Sequence, residues 1–182
     1  HPLYFDKNCV ETSGFTRQDW WHSVGREARM LRSNVGVIDI SNFAKYSCKG
    51  PGAEKWLNLV FANKMPSKIG RSCLTPLISV FGGVAGDATV TKISDDEFWV
   101  ISSGISERYQ KRFYSSVQLP ENTSFQSRTD EMCGFNVAGP KSREILQRLS
   151  NQDLSNKNWS FMRSGNLSIA GVSCLALRIS FT

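Results

Sequence analysis

Apolar side chains at Trp21, Val24, Ala28 and Leu31 recur at helical spacing with charged residues between them, so residues 17–33 predict an amphipathic helix. The stretch before it, residues 1–16, has no periodicity and predicts a lead-in arm. Residues 35–40 and 43–49 predict two short strands, the first of them buried. Gly50-Pro51 then leads into Ala53, Trp56, Leu57 and Val60, an i, i+3, i+4, i+7 stripe. Proline at the first helical position forfeits only an N–H that has no partner in a helix. The unit is strand, Gly-Pro, amphipathic helix.

The same device returns at Gly139-Pro140, 89 positions after Gly50-Pro51. Residues 134–138 before it are strand-like, and Ser142, Ile145, Leu146 and Leu149 follow. Tyr46 matches Phe135, Cys48 matches Val137, Trp56 matches Ile145, Leu57 matches Leu146, and Val60 matches Leu149. A shared flanking pattern on top of a shared Gly-Pro indicates internal duplication of an α+β unit. Between the copies, residues 77–80 and 87–93 predict strands joined through Gly82-Gly83. Asp95-Asp96 marks a turn and residues 98–102 a further strand. Ser106 predicts the N-cap of a helix carrying Tyr109, Phe113 and Val117. Residues 120–123 read as loop, and residues 167–169 and 172–179 flank Gly171 as a hairpin would. The expected fold class is α+β: duplicated strand/Gly-Pro/helix units with largely antiparallel sheets.

Composition narrows the function classes. With 40% hydrophobic and 21% charged residues the 182-residue chain is globular rather than disordered. The formal charge of +6 favours anionic partners, but the basic residues are dispersed at helical spacings (Arg26, Arg29, Arg32), as on solvated faces. No basic run with interleaved aromatics suggests a nucleic-acid binder, and no apolar stretch has transmembrane length. Five scattered cysteines, none in a Cys-x-x-Cys, argue against a zinc module or a disulfide framework. Two histidines, His1 and His22, leave little for a His-based metal site or a Ser-His-Asp nucleophile. Asp87, closing Gly82-Gly83-Val84-Ala85-Gly86 ahead of Ala88-Thr89-Val90, is the outstanding carboxylate. At a strand mouth behind a glycine-rich turn it can face a cavity; as a plain turn-capping residue it would do nothing further.

These landmarks occur in the order found in the aminomethyltransferase family. Glu27-Ala28-Arg29 leads into Val35-Gly36-Val37-Ile38-Asp39-Ile40-Ser41; then come Lys49-Gly50-Pro51-Gly52-Ala53, Gly82-Gly83 with Asp87, Ala138-Gly139-Pro140-Lys141-Ser142, and Ala170-Gly171-Val172 running into Arg178-Ile179-Ser180-Phe181-Thr182. The chain resembles the glycine cleavage T-protein family, and Asp19-Trp20-Trp21 resembles the T-protein-like domain of dimethylglycine and sarcosine dehydrogenases. The resemblance implies that residues 17–182 form the N-terminal portion of a folate-binding domain with a ring-like, three-part fold, whose C-terminal remainder is absent from this fragment. The fragment alone is then expected to be inactive.

The resemblance also implies the chemistry. Tetrahydrofolate is the expected cofactor, and the partners are folate and a small amine-derived one-carbon donor. FAD is expected only in a covalently linked oxidoreductase domain upstream. The full-length protein would carry out one-carbon transfer coupled to oxidative demethylation of an N-methylated glycine, or to glycine cleavage, in the cytoplasm or the mitochondrial matrix. The alternative is a non-catalytic folate-binding or interaction module of the same fold. Asp87 aligns with the family's functional acid, beside the bridging amine of the folate, where a carboxylate can accept a proton or stabilise developing positive charge. Phe43, Thr89, Ser103, Trp159 and Phe181 are the implied folate-binding residues, with aromatic rings walling a flat heterocycle. The sequence departs from the family pattern at Gly86, where a second acid is usual, and at Leu74 and Thr91, where tyrosines are common.

Overall fold

The computed structural model describes residues 14–179; the lead-in arm (apart from its last three residues) and Phe181 lie outside them. The first helix, α1 (Trp21–Ser33), begins four residues later than its periodicity suggests. It is followed by β1 (Gly36–Asp39), β2 (Ala44–Lys49) and α2 (Ala53–Val60). Strands β3 (Ser72–Ile78), β4 (Val84–Ser94) and β5 (Glu97–Ser102) form a meander, and a single 3₁₀ turn at Gly104–Ser106 leads into α3 (Glu107–Ser115). The remainder is β6 (Ser124–Ser127), β7 (Phe135–Ala138), α4 (Ser142–Arg148), β8 (Ser164–Ile169) and β9 (Val172–Leu177). Every strand pairing among the described residues is antiparallel, in three sheets ordered β3-β4-β5-β2-β6, β1-β7 and β8-β9. No sheet closes on itself.

The core lies on one face of the five-stranded sheet. Alternate residues Ala44, Tyr46 and Cys48 of β2, Phe98 and Val100 of β5, and Ala88 and Val90 of β4 point to that face and are almost fully buried. The predicted stripe of α2 meets them: Ala53, Trp56, Leu57 and Val60 are all buried. Each such large side chain contributes about 1.5–3 kcal/mol. The Trp56 indole N–H donates to the Val117 carbonyl at 3.2 Å, so its polar atom is satisfied. Lys92 Nζ, also on this face, pairs with Glu54 of α2 at 2.8 Å and lies 5.2 Å from the Phe98 ring centroid.

The duplication extends further than the Gly-Pro signature shows. Helix–strand pairs α1–β1 and α3–β6 are counterparts, as are strand–helix pairs β2–α2 and β7–α4. The copies embrace: β2 of the first pairs with β6 of the second, and β7 of the second with β1 of the first. Reciprocal hydrogen bonds mark a pseudo-twofold axis. The Lys45 N–H donates to Thr129 Oγ1 at 3.1 Å, and the Gly134 N–H donates to Ser41 Oγ at 3.1 Å. Arg128 N–H donates to the Lys45 carbonyl at 2.7 Å as Ile40 N–H does to that of Gly134 at 2.8 Å. Gly50 and Gly139 both have positive φ, +124° and +111°, a region that side-chain-bearing residues rarely adopt. A Cβ on Gly50 would strike the Asn122 carbonyl oxygen, and one on Gly139 the Asn34 carbonyl oxygen, at matching places before β6 and β1. The glycine in each Gly-Pro is therefore required by the strand crossing alongside it.

Several expectations need correction. Strand β1 is mainly exposed, not buried. Strand β3 begins at Ser72, well before residue 77; Pro76 is tolerated inside it because β3 is an edge strand. Ser106 makes no side-chain cap on α3. Of the predicted stripe, Phe113 and Val117 pack against the core but Tyr109 is 53% exposed; the fully buried residues of α3 are Gln110 and Tyr114, and Gln110 accepts from Ser102 Oγ, 2.6 Å away.

Candidate functional site

Strand register gathers the candidate residues. Ala88 of β4 pairs with Ser102 of β5, and Ser102 pairs with Ala44 of β2. Phe43 and Ser103 lie one residue beyond the last paired positions, Ala44 of β2 and Ser102 of β5, so that the same register carried one step further would set Asp87, Ser103 and Phe43 in a row; from β3, Pro76 pairs with Asp87. The next row on that face runs Leu74, Thr89, Ile101, Lys45. Strands lie about 4.8 Å apart, so Asp87, Ser103 and Phe43 span about 10 Å, the length of a fused heterocycle with a substituent. This face is opposite the apolar core. The close approach that brings Ser103 to Phe43 depends on Gly104, where a Cβ would overlap the Asn42 carbonyl.

Asp87, Ser103 and Phe43 are exposed, and Thr89 is 9% exposed in the row below. Asp87 makes no hydrogen bond or ion pair with the described residues. Exposed apolar side chains crowd the same end of the sheet: Phe81 and Val84 at the β3–β4 hairpin and Ile105 just after Ser103. Trp159 stands apart. Half-buried, it packs beside Gly165 in the second copy with the Arg163 guanidinium 5.9 Å from its ring, and its carbonyl accepts from Arg178. A separate open hollow is lined by Gly139, Pro140, Arg143, Glu144, Asp153 and Ser155, and by none of Asp87, Phe43, Thr89, Ser103 and Trp159.

Sequence reasoning missed Lys45. Its side chain is buried and forms no ion pair with the described residues, and Nζ donates to the carbonyls of Ser41 and Phe43, both at 2.9 Å. It thereby fixes the loop that presents Phe43. The Ser41 hydroxyl and then the Ser41 N–H hold the Asp39 carboxyl below its ordinary range, with Lys45 adding a smaller pull; the N–H to Oδ1 distance is 2.8 Å. The signal was a lysine within a strand otherwise alternating into the core. The aliphatic part of Lys45 lies beside Gly134, its counterpart across the pseudo-axis, at the distance of an ordinary van der Waals contact from where a Cβ would stand. The absence of an acid at residue 86 also has a physical cause. Residue 86 points to the core face, where a Cβ would stand 2.9 Å from Gln110 Nε2.

A doubled antiparallel α+β scaffold of this kind is the fold of the T-proteins: the glycine cleavage system aminomethyltransferase T of Bartonella henselae superposes with a TM-score of 0.68 at 18% identity, over 76% of this chain and 37% of that chain. The chain belongs to the GCVT family, whose N-terminal domain matches residues 1–182. It is 33% identical to the mitochondrial dimethylglycine dehydrogenase of Mus musculus over its whole length but covers only 21% of that protein. It is 26% identical to an aminomethyltransferase of a Thermoanaerobacter species over 98% of the chain and 48% of that protein.

Proposed function

We propose that residues 17–182 are the N-terminal portion of a tetrahydrofolate-binding domain, in a protein that transfers a one-carbon unit derived from oxidative demethylation of an N-methylated glycine or from glycine cleavage. The alignment of Asp87, Ser103 and Phe43 in one row carries this reading. The donor set fits a reduced pterin: a carboxylate accepts from ring or bridging N–H groups, a hydroxyl can donate or accept, and an exposed ring offers a flat wall. When bound, the folate supplies the amine nitrogens that take up the one-carbon unit. Asp87 orients such an N–H and can accept its proton. Ser103 fixes the heterocycle's edge, Phe43 stacks against its face, and Lys45 holds Phe43 in place. Thr89 lies one row deeper. In a three-part, ring-like arrangement of the kind the family resemblance implies, the exposed side of Asp87 would face the central cavity.

The likeness to dimethylglycine dehydrogenase supports an FAD oxidoreductase domain in the same polypeptide as the source of the one-carbon unit, and the mitochondrial matrix as its compartment. No helix among the described residues is long and apolar enough to cross a membrane. Calorimetric titration of the full-length protein with 5-formyltetrahydrofolate tests the reading. Asp87→Asn, which keeps the shape and removes the charge, is expected to weaken binding at least about tenfold, the equivalent of roughly 1.4 kcal/mol. Unchanged affinity and turnover would remove Asp87 from the mechanism. Folate binding with no one-carbon transfer in the unmodified protein would favour the binding-module alternative.

A further inference from the structure

The core face of the five-stranded sheet turns polar at the end that lies behind Asp87 and Ser103. Ser102 and Gln110 are 4% and 1% exposed, and the Ser102 hydroxyl donates to Gln110 Oε1 at 2.6 Å. A leucine would fill the place of Gln110 with no polar group to satisfy, so packing alone does not account for a buried amide there. The amide reaches two strands, each at the residue before a candidate functional side chain. On β5 it holds Ser102, which precedes Ser103; on β4 it abuts Gly86, which precedes Asp87 and where a Cβ would stand 2.9 Å from Gln110 Nε2. Gly86 does not have a positive φ, so a side chain there conflicts with the Gln110 amide and not with the backbone conformation.

We propose that Gln110 is a positioning residue for the folate site: from the core side it holds Ser102 and Gly86, and so sets the spacing between Ser103 and Asp87 on the other face. The proposal rests on the folate reading of that row. Successive residues of a strand point to opposite faces, so fixing one residue aims the next. Ser103, one residue past β5, keeps an extended backbone at φ −65° and ψ 125°, and its carbonyl accepts from the Ser106 N–H at 3.2 Å. The helix that carries Gln110 has a firm mount of its own. In the first turn of α3 the Glu107 carboxylate accepts from Ser127 Oγ at 2.9 Å and Thr129 Oγ1 at 3.1 Å, and pairs with Lys111 at 2.9 Å. A ligand that meets Asp87 and Ser103 already spaced loses less freedom on binding than one that must order them. Without the amide both functional groups remain, but they no longer act as a pair.

A double-mutant cycle on the full-length protein tests this, with 5-formyltetrahydrofolate titrated calorimetrically into the parent, Gln110→Leu, Asp87→Asn and the double variant. Gln110→Leu is expected to weaken binding roughly three- to tenfold. Asp87→Asn should then cost less than half as much, in fold-change, in the Gln110→Leu background as in the parent. A residue that only stabilises the fold would leave the affinity of the folded protein unchanged and the two effects multiplicative. Ser102→Ala deletes the same hydrogen bond and should reproduce the loss; it carries the cycle instead if Gln110→Leu is unfolded at the assay temperature. Parent-like affinity in the folded variants, or an undiminished Asp87→Asn effect in their background, would overturn the proposal and leave the folate reading standing. A parent that does not bind the folate, or whose affinity Asp87→Asn leaves unchanged, would overturn both.

Discussion

Alanine at Gly50 probes the doubled scaffold at the point where its two halves cross. The residue sits at φ +124°, where any side chain is strained by about 1–3 kcal/mol. Its Cβ would strike the Asn122 carbonyl and lie 2.8 Å from Thr123 Cα, both backbone atoms that cannot rotate away. Relief requires β6 to retreat from β2, loosening a ladder in which each hydrogen bond is worth about 1 kcal/mol and prising Phe125 from its stack on Tyr46, 4.9 Å away. The expected cost is about 3–5 kcal/mol, or roughly 6–20 °C in Tm at 2–4 °C per kcal/mol for a domain of this size. Gly139→Ala has a matching clash, with the Asn34 carbonyl, but the strand pair it disturbs borders an exposed face. It should lower Tm by less than Gly50→Ala does while speeding amide exchange in β1 and β7. Calorimetry and exchange on both variants provide the comparison. A Gly50→Ala protein melting within about 1 °C of the parent would refute the reasoning.

Three further outcomes follow. Gly86→Asp, restoring the family's second acid, should cost about 2–3 kcal/mol in urea denaturation, because the side chain meets Gln110 and breaks its bond to Ser102; Gln110→Ala should recover part of it. Glu54→Ala, which strands the buried Lys92 ammonium, should destabilise by about 1–3 kcal/mol, discounted because Glu54 is partly exposed, whereas Lys92→Met should stay within about 1 kcal/mol; the reverse order would contradict the burial argument. Burial pushes the Cys48 thiol up to about 12 from its ordinary value near 9, and raises the Tyr46 and Tyr114 hydroxyls from theirs near 10. The folded state therefore holds the Cys48 proton after the unfolded chain has lost it. The Cys48 contribution should make stability fall by up to ~1.4 kcal/mol per pH unit from about pH 9, with the two tyrosines steepening the fall above about pH 10; Cys48→Ala should remove the decline between about pH 9 and 10 and leave the steeper part due to the tyrosines.

The features legible in the sequence were those set by local pattern. The α2 stripe and the Gly-Pro repeat could be read directly because helix period and the φ demands of glycine are properties of short segments. What escaped depended on partners distant in the chain. The strand expected from residue 77 begins at Ser72, and only sheet order shows that β3 is an edge able to hold Pro76. Nothing local marks Gln110 as a core residue, because Ser102, its partner, comes from another element. Strand β1 was read as buried from its apolar residues, yet the structure described here leaves that face uncovered. Asp87 was picked out by its glycine-rich approach, but its row with Ser103 and Phe43 exists only through the register of β4, β5 and β2. Lys45 went unnoticed because its role is to hold two backbone carbonyls, for which no side-chain motif exists.

The most direct measurement for the central claim is a crystal structure of the full-length protein with 5-formyltetrahydrofolate bound. A heterocycle lying along the Asp87–Ser103–Phe43 row, with a nitrogen within about 3.2 Å of an Asp87 carboxylate oxygen, is the predicted result. Density for the ligand elsewhere, for example in the hollow beside Arg143 and Asp153, with Asp87 left facing solvent, would contradict it.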